Sequence, residues 1–315
     1  MNPTWVIGYP TGDETGTYLA LDMGGTNLRV CEVELPEEKG QYDIYQSKYR
    51  LPEEIKSGTG EQLFDYIAEC VKQFLIANHE GQDIKDLKEL HLGFTFSYPC
   101  EQNAIDHGIL QRWTKGFDIE GVEGHDVVPM FEEALERKVG FTRQSTAYLI
   151  LIAVMQGVPI KITALVNDTT GTLIASAYTD NTTRIGCIFG TGCNAAYMET
   201  IGCIPKLAHM NLDPSLEIAI NCEWGAFDNE HRVLPRTVYD KHIDEHSPRP
   251  GQQTFEKMVA GLYLGEIFRL VLVDLYSNPD VSIFEKQNIS ALQIEYSLDA
   301  SFLAEIERYV TEWHL

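Results

Sequence analysis

Basic residues are scarce: 24 Lys and Arg stand against 47 Asp and Glu, which gives the 315-residue chain a formal net charge of −23. That scarcity excludes nucleic acid as a partner, because a phosphate backbone wants basic stripes. Any anionic substrate must then be held by local devices: backbone amides, a metal ion or single Lys and Arg side chains. The acidity itself keeps the protein soluble. Long hydrophobic runs are missing too. The longest, Ala147–Met155, is far too short to span a bilayer. Met1–Gly8 has neither the basic nor the apolar region of a signal peptide. The seven cysteines are scattered and odd in number, with no C-x-x-C, which predicts reduced thiols in the cytoplasm. Cys187 and Cys193 flank a glycine loop without His or Asp at zinc spacing, so they read as structural thiols.

What remains is ordinary for a globular enzyme, with 44% hydrophobic and 23% charged residues. The length predicts about two domains. Tyr18–Met23 reads as a buried strand that turns at Gly24-Gly25 into a second strand, Asn27–Leu35. In that strand Leu28, Val30 and Glu32 share one face, opposite Arg29, Cys31 and Val33. Tyr42, Ile44 and Gln46 alternate in a third strand. Leu63, Phe64, Ile67, Val71, Phe74 and Leu75 recur at helical spacing and predict a helix over 61–78. Strands are expected over 91–96, 160–166, 185–189 and 195–198, and helices over 127–138, 255–276 and 301–310. The mixture is an α/β architecture, and its glycine-rich turns leave strand ends, where such sheets present ligand groups.

Three constellations carry chemistry. In Asp22-Met-Gly24-Gly25-Thr26-Asn27-Leu-Arg29 two glycines let a tight hairpin bring backbone amides against a phosphate chain. Thr26 and Asn27 add donors, Arg29 adds charge, and Asp22 can hold Mg2+ through water. An ordinary hairpin with a Gly-Gly turn fits these residues equally well; the turn is neither G-x-G-x-x-G nor a P-loop. The second constellation is Val166-Asn167-Asp168-Thr169-Thr170-Gly171-Thr172, where an Asp after an apolar strand also reads simply as a helix N-cap. The third, Gly190-Thr191-Gly192 between strands, is a phosphate cradle or only a turn.

In this order the three segments resemble those of the actin-like ATPase superfamily. Within it the chain resembles the hexokinase family, closest to the fungal-type glucokinases. Leu21–Val30 looks like the family's first phosphate motif, and Phe94–Pro99 and Trp113–Phe117 like its sugar-binding loops. Leu165–Thr172 looks like its catalytic segment and Ile188–Ala195 like its second phosphate motif. Asn221–Phe227 and Phe255–Met258 look like its sugar-clamping carboxylate segments. The resemblance runs from about Trp5 to about Arg308. It implies a two-lobed actin-like (ribonuclease-H-like) fold, with a small lobe over 9–167 and an incomplete large lobe over 168–315 that close over the sugar and exclude water.

It further implies phosphorylation of glucose or a related hexose at its 6-hydroxyl by Mg-ATP, the first step of glycolysis. Asp168 would be the general base. Lys115 would neutralise charge on the transferred group, or is only a surface lysine. Ser97, Thr114, Lys115, Asn167, Asp168, Asn194, Glu223 and Glu256 would bind the hexose. Asp22, Gly24, Gly25, Thr26, Asn27, Arg29, Gly190, Thr191 and Gly192 would take the nucleotide phosphates, with Asp22 holding the hydrated Mg2+. The alternative is a catalytically inactive hexose-binding or sugar-sensing fragment without the adenosine site. An actin-like ATPase without sugar is disfavoured by Trp113–Phe117 and Glu223. Oligomeric state is not readable.

Three departures from the family stand out. The family has more chain before Trp5. It also continues beyond Leu315, where its glycine-rich adenosine loop lies. And it has no counterpart of Val139–Gln156. That stretch reads as a retained intron, since Val codons begin GT and one Gln codon is CAG, or else as a genuine insertion with Ala147–Met155 as a buried segment. Tyr309–Leu315 reads likewise as read-through. Sequencing genomic DNA and transcript across codons 138 and 157 is expected to reveal a spliced message without the 18 codons of Val139–Gln156; a spliced message that keeps all of them ends the idea.

Overall fold

A computed structural model of the chain describes residues 1–25, 27–79, 89–114, 117–139, 160–282 and 287–312. Of the unmatched stretch 139–156 only Val139 is among them; the rest lies outside the described residues. The chain forms two compact units. The first holds Asn2–Gly186 and Ala196–Asn221, the second Met1, Cys187–Ala195 and the chain from Cys222 onward.

The strands are β1 (Asn2–Ile7), β2 (Gly16–Met23), β3 (Asn27–Leu35), β4 (Asp43–Arg50), β5 (Leu90–Phe96), β6 (Cys100–Glu101), β7 (Ile109–Leu110), β8 (Ile160–Val166), β9 (Ile185–Phe189), β10 (Cys193–Thr200) and β11 (Glu217–Asn221). The helices are α1 (Glu53–Lys56), α2 (Gly60–Asn78), α3 (Val127–Lys138), α4 (Asp168–Thr179), α5 (Val238–His246), α6 (Thr254–Val259), α7 (Gly261–Ser277) and α8 (Ala300–Glu312).

In the first unit a five-stranded sheet has the order β4-β3-β2-β5-β8. β2, β3 and β4 form the expected antiparallel meander, and β5 and β8 run parallel to β2. Alternation along β3 buries Leu28, Val30 and Glu32 and exposes Arg29. The buried Glu32 carboxylate is satisfied by His79 Nε2 at 2.9 Å, which offsets the cost of burying it. A capping box between Thr59 and Gln62 opens α2, and the Asp126 side chain caps α3. Their apolar faces meet the sheet through an aromatic stack: Phe131 lies 5.2 Å from Phe94 and 6.2 Å from Phe64. Each such buried ring contributes roughly 1.5–3 kcal/mol. The hairpin β6-β7 covers the end of β8, since Leu165 N donates to Ile105 O and Gln102 Nε2 donates to Leu165 O, at 2.7 and 2.9 Å.

A second sheet has the order β1-β11-β10-β9; β1 and β11 were not expected from the sequence. The expected single helix over 255–276 is two helices. Ala260 is extended at φ −81 and ψ 148, and Gly261 N donates to Gly190 O at 2.8 Å. The break turns the first amides of α7 onto the glycine turn instead of back along α6.

Gly186 of β9 lies against α4 so closely that an added Cβ would stand 2.6 Å from Leu173 N and 2.7 Å from Thr169 O. Both are backbone atoms that cannot step aside. Gly186→Ala is therefore expected to destabilise the chain by about 1–3 kcal/mol, measured by urea unfolding. An unchanged midpoint would mean that α4 is not held against β9.

Candidate active site

The first group of site residues stands at the carboxyl ends of three neighbouring parallel strands. The register pairs Asp22 with Thr95 and Thr95 with Val166. The next residues of each strand are therefore brought to one sheet edge: Gly24 after β2, Ser97 after β5, and Asn167 and Asp168 after β8. With strands about 4.8 Å apart, Ser97 sits between the glycine turn and Asp168.

The turn itself is closed by Gly24 N donating to Asn27 O at 3.1 Å. Arg29, opposite Asp22 in the hairpin, pairs with it at 3.0 Å, with side chains 50% and 35% exposed. An ion pair this exposed is worth about 0–1 kcal/mol, so either partner can be recruited by a ligand at small cost. Thr26 lies outside the described residues.

Asn167 and Asp168 stand side by side at the start of α4. Asn167, not Asp168, is the N-cap of α4; its Oδ1 accepts from Thr169 N at 3.0 Å and from Thr169 Oγ1 at 2.5 Å. Asp168 is the first helical residue, its Oδ1 accepting from Thr169 N at 2.8 Å. Beside them lies an aromatic box. Tyr98 and Trp113 meet edge to face at 4.9 Å, and Trp113 stacks on Phe117 at 5.5 Å. Trp113 N donates to Glu123 Oε1 at 2.5 Å and Trp113 Nε1 to Ile119 O at 3.1 Å, which fixes the chain entering Thr114. Lys115 lies outside the described residues.

The second unit gathers Asn194, Glu223 and Glu256. Asn194 Nδ2 donates to Glu223 Oε1 at 3.3 Å, and Cys193 N donates to Glu256 Oε2 at 3.0 Å. Glu223 adopts φ +51 and Gln253, just before α6, φ +56; left-handed backbone at residues other than glycine costs of order 1–3 kcal/mol and concentrates at functional sites. Gly225 fits where any Cβ would meet Cys193 O and Glu256 Cβ at 3.2 Å each. Gly192 is held to the same standard, with Glu256 Oε2 only 2.6 Å from where its Cβ would be.

Sequence reasoning missed the residues that brace the segments carrying these carboxylates. Asn229 Oδ1 accepts from Thr254 N at 3.1 Å and so ties the Glu223 loop to the start of α6. Lys257, buried, donates to Asp244 Oδ1 at 2.7 Å and to Arg249 O at 2.8 Å. Burial alone would raise the Asp244 carboxyl, but Lys257, Gly251 N and Arg236 outweigh it and hold it below the usual carboxylate range. A lysine next to a site glutamate was the available signal.

The sheet order and the strand-end placement of these groups define the actin-like ATPase fold. A solved hexokinase from Schistosoma mansoni, complexed with glucose, matches with a TM-score of 0.79 at 39% identity, over 98% of this chain and 63% of that one. A family model described as Hexokinase matches residues 1–178, and a second one, also described as Hexokinase, matches 184–313. A hexokinase of Emericella nidulans is 62% identical over 307 residues, 98% of this chain and 58% of the relative. A glucokinase of Aspergillus niger is 37% identical over 98% of this chain and 64% of the relative. The chain thus belongs to the hexokinase family, as its motifs led one to expect, and spans about three fifths of the length of the relatives it matches.

Burial, and after it the Glu256 carboxylate, push the Cys193 thiol up to about 12, and burial pushes Cys70 up to about 11. Cys187 and Cys203 are exposed. Because the thiolate is the reactive form, iodoacetamide at mildly alkaline pH is expected to label Cys187 and Cys203 first and to spare Cys70 and Cys193 until the chain is denatured. Peptide mapping checks the order, and early labelling of Cys193 would contradict the carboxylate beside it.

Proposed function

We propose that this chain carries the sugar and phosphate residues of an ATP:hexose 6-phosphotransferase acting on glucose or a related hexose. The observation that carries the reading is the parallel register that brings the first glycine turn, Ser97 and Asp168 to one sheet edge. The solved relative bound to glucose supports the sugar class.

The glycines support the phosphates. Among the described residues a Cβ on Gly24 would find only Asn27 O, at 3.6 Å, and one on Gly190 only Ile188 Cγ2, at 3.9 Å. Neither glycine needs left-handed backbone, so nothing among the described residues demands glycine there. Close approach of a phosphate chain does. Gly192 differs, since its missing side chain makes room for Glu256. Among the described residues no group of three or more His, Cys, Asp or Glu could hold a metal ion. That fits a Mg2+ that arrives with the nucleotide, keeps its waters and leans on the single carboxylate of Asp22. When bound it neutralises phosphate charge.

Asp168, next to the Asn167 cap, takes the proton of the hexose 6-hydroxyl as that oxygen attacks. Ser97, Thr114, Asn167, Asn194, Glu223 and Glu256 are the residues proposed to read the hexose hydroxyls. A neutral polyol offers only hydroxyls, so acceptor-rich side chains are the right partners. Phosphoryl transfer asks for positioning more than for a strong base. Lys115 and Thr26 complete the proposed set, in a small lobe over 9–167 and a large lobe begun over 168–315. No helix among the described residues is long and apolar enough to cross a membrane. The seven cysteines, all free thiols, support a cytoplasmic location.

Asp168→Ala is expected to lower glucose 6-phosphate formation in a coupled assay by about 10²–10⁴-fold while calorimetry finds glucose affinity within a few-fold of the wild type. An active variant would remove Asp168 as the base. Glucose binding by the wild type without turnover would favour a hexose-binding role.

A further inference from the structure

One side chain touches both the aromatic box of the sugar loops and the first glycine turn. Tyr98 follows Ser97, is 2% exposed, and lies between Phe96, Trp113 and Phe117 at centroid distances of 4.9, 4.9 and 5.3 Å. Its hydroxyl reaches out of that box and donates to Gly24 O at 3.3 Å, a contact between residues 74 positions apart.

The consequence follows from peptide planarity. The carbonyl of Gly24 and the N–H of Gly25 belong to one rigid trans unit and point in opposite directions. A donor that pins the carbonyl on the Tyr98 side therefore aims the Gly25 amide away from the aromatic box. Glycine on both sides of this peptide leaves it otherwise able to rotate at low cost. The turn's own bond, Gly24 N to Asn27 O, lies on the preceding peptide and does not set this orientation.

We propose that Tyr98 is a positioning residue that sets the Gly24–Gly25 peptide for a phosphate oxygen and makes that setting depend on the hexose held beside Ser97 and Thr114. The idea rests on the functional reading above. A hexose that orders the loop around Ser97 and Trp113 steadies the Tyr98 ring, the hydroxyl steadies the Gly24 carbonyl, and the Gly25 amide is presented to the nucleotide. By linkage the nucleotide must tighten the hexose to the same degree. Burial, with the Asp22 carboxylate second, drives the Tyr98 hydroxyl well above the ordinary phenol range, so it remains a donor across the working pH.

Tyr98→Phe removes one oxygen and leaves the ring in its box, so the variant is expected to fold. Hydrogen–deuterium exchange on the full chain reads the effect. In the wild type, glucose is expected to slow exchange in peptides covering 22–29. In Tyr98→Phe that protection should fall about 3- to 10-fold, the share of one hydrogen bond, while calorimetric glucose affinity stays within about twofold. The factor by which glucose tightens Mg-ATP should fall equally. A wild type that binds glucose but shows no protection of 22–29, or a variant protected as well as the wild type, overturns the inference alone. A wild type that binds no glucose sinks the functional reading and this inference with it.

Discussion

The parallel register of β2, β5 and β8 is set by burial, and the polar site inherits it. One row before the site, Leu21, Phe94 and Leu165 pair across the three strands, and each is 2% exposed or less. A slip of one residue would turn these side chains out of the core, at roughly 1.5–3 kcal/mol per large apolar side chain exposed. The same slip would carry Gly24, Ser97 and Asn167 out of line. No interaction among the polar groups is needed to align them, because the apolar row beneath already has.

The second unit reaches its geometry by the opposite means. There Asn194 stands at the start of β10, Glu223 is a left-handed residue capping a single 3-10 turn, and Glu256 lies on a six-residue helix. Their positions are over-determined by hydrogen bonds, from Cys193 N to Glu256, from Asn194 to Glu223, from Thr254 N to Asn229 and from Lys257 to Asp244. α7 joins this network through Gly261 N and Leu262 N, which donate to the carbonyls of Gly190 and Thr191. The second glycine turn and the Glu256 carboxylate are thus one hydrogen-bonded object, so whatever displaces one is felt by the other.

The elements that were legible in the sequence are those with strong local periodicity. Helix α3 and strands β3, β8 and β9 have the bounds expected for them, because alternation, caps and apolar stripes all agreed. β1 was invisible: it contains Pro3 and a left-handed Trp5, and its partner Asn221 stands far along the chain, so no local pattern marks it. α5 is short and mostly polar, which leaves little apolar period to read. The break at Ala260 was hidden because apolar residues continue through it, although Gly261 marks the place. Site residues were legible as motifs, and the roles attached to them came from the family resemblance. The contacts that organise the site, such as Tyr98 to Gly24, join distant segments and leave no trace in spacing.

The pair Asn167-Asp168 shows how little separates the bland reading of a motif from the chemical one. An N-cap needs only an acceptor, and a neutral amide oxygen serves as well as a carboxylate. A base needs an acceptor that can also take a proton, which an amide does not. With Asn at the cap and Asp at the first helical position, the cap consumes the neutral group and the carboxylate stands at the positive end of the helix dipole. In the reverse order the position facing the proposed sugar hydroxyl would hold an amide, a group unable to accept its proton. The base proposed at Asp168 therefore depends on the order of the two residues, not merely on an aspartate after a strand.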